Sequence, residues 1–65
     1  MNIEKIKDIK KAELRNEISN VQSALNNTYK NLQMVKEPDL VDYFAYKIKS
    51  EEAMHQYLIK KFKEI

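Results

Sequence analysis

A chain of 65 residues with no glycine and one proline has a single place where its backbone is compelled to turn. That place is Pro38. Proline disfavours helical geometry in the residue before it and carries no N–H, so a helix should end near Lys36 and another should start at Pro38. Asp39 and Asp42 then fall in the first turn of the second helix, where carboxylates suit the positive end of the dipole. Glu37 becomes the N-cap, although it is not a favoured cap residue. No second breaker, linker or internal repeat follows. The expectation is two long helices, about residues 3–35 and 38–64, hinged at Glu37-Pro38-Asp39.

The apolar spacing tells how the two helices meet. Leu14, Ile18, Val21, Leu25, Thr28, Leu32 and Val35 recur in steps of four and three. Val41, Phe44, Ile48, Glu51, His55, Leu58, Phe62 and Ile65 recur in steps of three and four. Both are seams of the antiparallel coiled-coil kind. A turn at Lys36–Pro38 folds the second helix back, and one register then pairs Val35 with Val41 and Leu32 with Phe44. It continues with Thr28 opposite Ile48, Leu25 opposite Glu51, Val21 opposite His55, Ile18 opposite Leu58 and Leu14 opposite Phe62. The predicted fold is all-α, a single antiparallel two-helix hairpin forming one domain over residues 1–65. About ten N-terminal residues, with Ile3, Ile6 and Ile9, are left without a partner in this register. They step by three, which drifts around a helix of 3.6 residues per turn. They are expected to fray or to dock on something else.

Apolar residues make up 43% of the chain, more than one seam uses. The surplus lies on the second helix. Tyr43, Tyr46, Ala53 and Tyr57 form a stripe roughly 130° from the seam at about 100° per residue, with Leu40 and Met54 between the two. One partner helix covers one stripe. Tyrosine combines large contact area with few rotatable bonds and is common at interfaces. A core this small rarely supplies more than about 3–5 kcal/mol, and chains of this length often add a metal, disulfides or association. Leu40, Tyr43, Tyr46, Met54 and Tyr57 are therefore the expected contact face for a protein partner. If the partner is a second copy, the homodimer is a four-helix bundle.

Several function classes are excluded. Phosphate-cradling loops of the P-loop and Rossmann kinds need glycine where the backbone meets phosphate. The absence of Asn-Gly-type turns argues against an all-β fold. With no cysteine there is no disulfide scaffold and no thiolate zinc site, which fits a reducing compartment. No run approaches the roughly 20 apolar residues of a membrane span. The start, Met1-Asn2-Ile3-Glu4-Lys5-Ile6-Lys7-Asp8, has no apolar signal core. No cofactor, no metal and no small-molecule substrate is indicated. Catalysis has little support. His55 is the sole histidine, and Glu51 one turn earlier makes a carboxylate–imidazole pair geometrically available. A polar break in the seam, which sets register at some cost in stability, is the simpler reading of both.

The formal net charge of +2 is unevenly placed. Residues 1–15 carry Lys5, Lys7, Lys10, Lys11 and Arg15 against Glu4, Asp8 and Glu13. Residues 59–65 carry Lys60, Lys61 and Lys63 against Glu64. The open end of the hairpin thus holds about +4, and the turn end, residues 30–44, about −1. A basic end formed by Lys7, Lys10, Lys11, Lys60, Lys61 and Lys63 is a second candidate site, for nucleic acid. It is the weaker one, because the chain has one arginine and its lysines are interleaved with acids.

The stretch Val35-Lys36-Glu37-Pro38-Asp39-Leu40-Val41-Asp42-Tyr43-Phe44-Ala45-Tyr46, followed by Tyr57-Leu58-Ile59-Lys60, resembles the YaaL-like family of small helical bacterial proteins of unknown function. The resemblance covers roughly residues 14–63. Its most specific part is Pro38 to Asp42, supported by Tyr46 and Tyr57. Ala45 stands where that family has a larger aliphatic residue, Ser50 where it has alanine, and His55 where it has tyrosine. The resemblance implies a cytoplasmic protein of Gram-positive type without an assigned enzyme activity. Sporulation phosphatases acting on response regulators also form short hairpins, but Tyr43-Phe44-Ala45-Tyr46-Lys47 lacks their Ser-Gln-Glu-Leu-Asp motif.

Overall fold

The computed structural model describes residues 2–65. Its two helices are α1, Ile3–Met34, and α2, Pro38–Glu64. They pack along each other as an all-α hairpin. A 32-residue helix is about 48 Å long at 1.5 Å per residue, which accounts for most of the 54 Å length of the molecule. The other two dimensions, 15 and 13 Å, are those of a single layer of two helices.

The ends of the helices follow local chemistry. Asn2 caps α1: its side-chain carbonyl accepts from the Glu4 N–H at 3.0 Å, and its backbone carbonyl accepts from Ile6 N–H at 3.2 Å. Residues 3–10, the expected overhang, are helical. Ile3 and Ile9 are exposed there, while Ile6 is half-buried. At the other end α1 stops at Met34, one residue short of the expected boundary. Val35 is extended, with φ −93° and ψ 149°. Glu37 is extended too, at φ −68° and ψ 130°, as a residue before proline must be. Its carbonyl accepts the first helical bond of α2, from Val41 at 3.0 Å, but its side chain caps nothing.

The seam is where the spacing puts it. Leu25, Ile48, Leu58 and Thr28 are buried. Leu14, Ile18, Val21 and Leu32 on α1 and Val35 just after it are half-buried, as are Val41, Phe44, Glu51, His55 and Phe62 on α2 and Ile65 just after it. Two helices shield each other along one line only, so few side chains are enclosed completely. The least exposed residue is a polar one, Thr28, at 1%. Its hydroxyl lies 2.6 Å from Glu51 Oε1 across the hairpin and 2.9 Å from the Ala24 carbonyl within α1. One hydroxyl proton serves two acceptors. The carboxylate bond is the shorter, as expected for a charge-assisted contact.

Candidate functional site

One flank of α2, about 100° around the helix from the seam, carries a second stripe. Leu40, Tyr43, Lys47, Ser50, Met54, Tyr57 and Lys61 recur in steps of three and four, the same spacing as the seam. The large members are open to solvent: Leu40 is 41% exposed, Tyr43 55%, Met54 49% and Tyr57 54%. Tyr46 flanks them at 73%. All five expected face residues are thus exposed on one side of one helix.

The stripe is held by its own neighbours. The Tyr43 ring meets the half-buried Phe44 ring edge-on, with centroids 5.0 Å apart and planes at 71°. That contact ties an exposed aromatic to the seam. At the far end Lys61 Nζ lies 5.8 Å from the centre of the Tyr57 ring and 3.5 Å from Glu64 Oε2. Beside Tyr57 a groove of about 350 Å³ opens between the helices. Leu14, Leu58 and Ile65 supply its apolar part, and Tyr57 joins it to the stripe. Lys10 and Lys61 contribute positive charge, and Glu13, Glu17 and Glu64 negative.

The candidate basic end is divided. Lys11 and Arg15 both sit over the Phe62 ring, at 5.7 and 5.8 Å from its centre. Their charges therefore cover the end of the seam. Lys61 belongs to the stripe and groove described above. Lys61 and Lys63 lie in the last turn of α2, where cations suit the negative end of the dipole. Lys7, Lys10, Lys60 and Lys63 are exposed. Lys60 lies about 100° around α2 from Lys61, so the α2 lysines do not share one face.

The polar members of the seam separate. Glu51 reaches across to Thr28 and, among the described residues, makes no ion pair with His55. The carboxylate–imidazole pair that the spacing made available is therefore not formed. No group of three or more His, Cys, Asp or Glu side chains is gathered for a metal ion among the described residues. No helix there is long and apolar enough to cross a membrane.

The spacing alone missed two features. One is the Thr28–Glu51 bond, because a position-by-position pairing places Thr28 opposite Ile48. The other is the membership of Lys47, Ser50 and Lys61 in the stripe. Their polarity hid them, although their spacing from Tyr43 and Tyr57 was available. Tyr29 and Met34 are also exposed on α1, at 43% and 79%. No protein-family model, curated protein or solved structure matches this chain.

Proposed function

We propose that this protein is a non-enzymatic adaptor or regulator that works through protein–protein contact along the aromatic face of α2. One observation carries the reading: Leu40, Tyr43, Tyr46, Met54 and Tyr57 stay 41–73% exposed on a helix whose other stripe is already filled by α1. An exposed apolar stripe of this extent is the usual mark of an interaction surface. The similarity of Pro38 to Asp42, with Tyr46 and Tyr57, to the YaaL-like family points to a bacterial cytoplasmic setting for that contact. A photoreactive amino acid at Tyr43 or Tyr57 should crosslink to protein in cells, and one at Lys49, off both stripes, should not. Equal crosslinking from all three sites, or none from any, would refute the reading.

A second reading takes the open end, with its charge of about +4, as a nucleic-acid contact. It predicts binding to a labelled duplex or single strand that falls steeply with added salt and is lost in Lys7→Glu with Lys63→Glu. Absence of a shift at low salt removes it.

A further inference from the structure

We infer that the occupant of the α2 stripe is a second copy of this chain, packed α2 against α2 in antiparallel orientation. This rests on the reading of the stripe as an interaction face and names its partner. The first argument is the order of side chains. An antiparallel two-fold dimer uses the same patch twice in opposite directions, so the patch must complement its own reverse. From either end, Leu40, Tyr43, Lys47, Ser50, Met54 and Tyr57 read as two apolar residues, two polar ones and two apolar ones. Inverted, Leu40 meets Tyr57 of the second copy, Tyr43 meets its Met54, and Lys47 meets its Ser50. Every large apolar residue of the stripe gains an apolar partner. The longest central side chain faces a small one, so its stem can lie across the serine while its amine reaches water.

Charge supplies the second argument and sets the direction. A parallel pairing would place Lys47 on Lys47, Lys61 on Lys61 and one open end of about +4 on another. The antiparallel pairing brings each basic open end to the acidic turn of the other copy. Lys61 then lies level with Lys36 of the second copy and beside its Glu37 and Asp39, in a turn that is net acidic. Lys10, which lines the same groove as Lys61 and Tyr57, flanks that meeting point. With Leu40 of the second copy opposite Tyr57, the apolar groove beside Tyr57 receives the start of the other α2.

The test uses disulfide trapping, since the chain has no cysteine of its own. Leu40→Cys and Tyr57→Cys are made as separate single variants, mixed and oxidised at a concentration where sedimentation shows the oligomeric state. Positions 40 and 57 lie about 25 Å apart along one helix, beyond the roughly 7 Å limit of a disulfide, so antiparallel dimers link only unlike variants. The expected result is a mixed disulfide as the main product, with no covalent dimer from either variant alone. Leu40→Asp, an exposed change that leaves an acid in the first turn, should keep the helical signal and weaken association about tenfold or more. Lys61→Asp and Asp39→Lys should each weaken it about twofold to fivefold, and their combination should restore it. A strict monomer at millimolar concentration overturns the inference while the crosslinking face still stands for a foreign partner. A dimer that links like with like overturns the antiparallel arrangement and keeps the face. A dimer indifferent to Leu40→Asp and Tyr57→Ala overturns both.

Discussion

α2 carries two stripes of the same spacing and opposite fate. Val41, Phe44, Ile48, Leu58 and Phe62 face α1 and are buried or half-buried, whereas Tyr43, Met54 and Tyr57 lie on the flank of the helix and are about half exposed. Adjacent residues show the contrast most directly: Leu58 is 4% exposed and Tyr57 54%. Nothing in the spacing separates the two stripes. Side-chain chemistry does. The covered stripe is mainly aliphatic and phenylalanine, which lose nothing by leaving water. The open one, apart from Leu40 and Ser50, is tyrosine, methionine and lysine, and its phenol and ammonium ends remain solvated while their bodies offer contact area. The covered stripe holds the hairpin together, and the open one is available to something else.

The most direct break of this comparison is Leu58→Ala. It should cost about 2–4 kcal/mol in urea unfolding, a large share of what a two-helix core supplies. Tyr57→Ala at dilute concentration should cost under about 1 kcal/mol. Equal losses at the two neighbours would mean that the stripes are not functionally distinct.

Next in size is the polar link inside the seam. Thr28→Val keeps the shape of the side chain but takes the hydroxyl from Glu51. A loss of about 1–2 kcal/mol is expected, read from the denaturation midpoint. Adding Glu51→Leu should recover most of it, because removing both partners leaves no stranded carboxylate. If the double variant is no better than Thr28→Val, the bond is not what stabilises that layer.

His55 sharpens the comparison from the other side. It occupies a seam position and is half-buried. His55→Leu should therefore raise stability by about 1 kcal/mol, measured as a higher melting temperature. A clear fall would give the imidazole a role that the seam geometry does not.

The smallest effect belongs to the open stripe. Tyr46→Ala should change stability by less than about 0.5 kcal/mol in dilute solution. Its effect should grow as protein concentration rises, since association on that face adds stability by mass action. A melting temperature of the parent chain independent of concentration would argue against self-association.

Much of the fold was legible. The absence of glycine and the single proline leave two uninterrupted helices and one hinge, and α1 and α2 end within a residue or so of the expected positions. Every seam residue from Leu14 to Ile65 is buried or half-buried. The cross-links were less legible. In knobs-into-holes packing each side chain sits among four residues of the facing helix, so a one-to-one pairing captures layers and misses diagonals. Thr28 with Glu51 is such a diagonal. The stripe was legible through its aromatics and obscured where Lys47, Ser50 and Lys61 continue it.

Sequence by itself determined the secondary structure, the hinge at Pro38 and the existence of two candidate faces on α2. These follow from local backbone preferences and from the period of the helix, which any single helix already expresses. Tertiary structure decided which neighbours each polar seam residue found and how the basic residues were shared out. It turned Glu51 toward Thr28 instead of His55, and laid Lys11 and Arg15 over Phe62. Those outcomes depend on side chains brought together from positions up to 51 residues apart, as with Lys11 and Phe62. The register set by the spacing brings such residues to the same level, but which diagonal neighbour each side chain reaches depends on how the two helix surfaces interlock, and no local rule contains that.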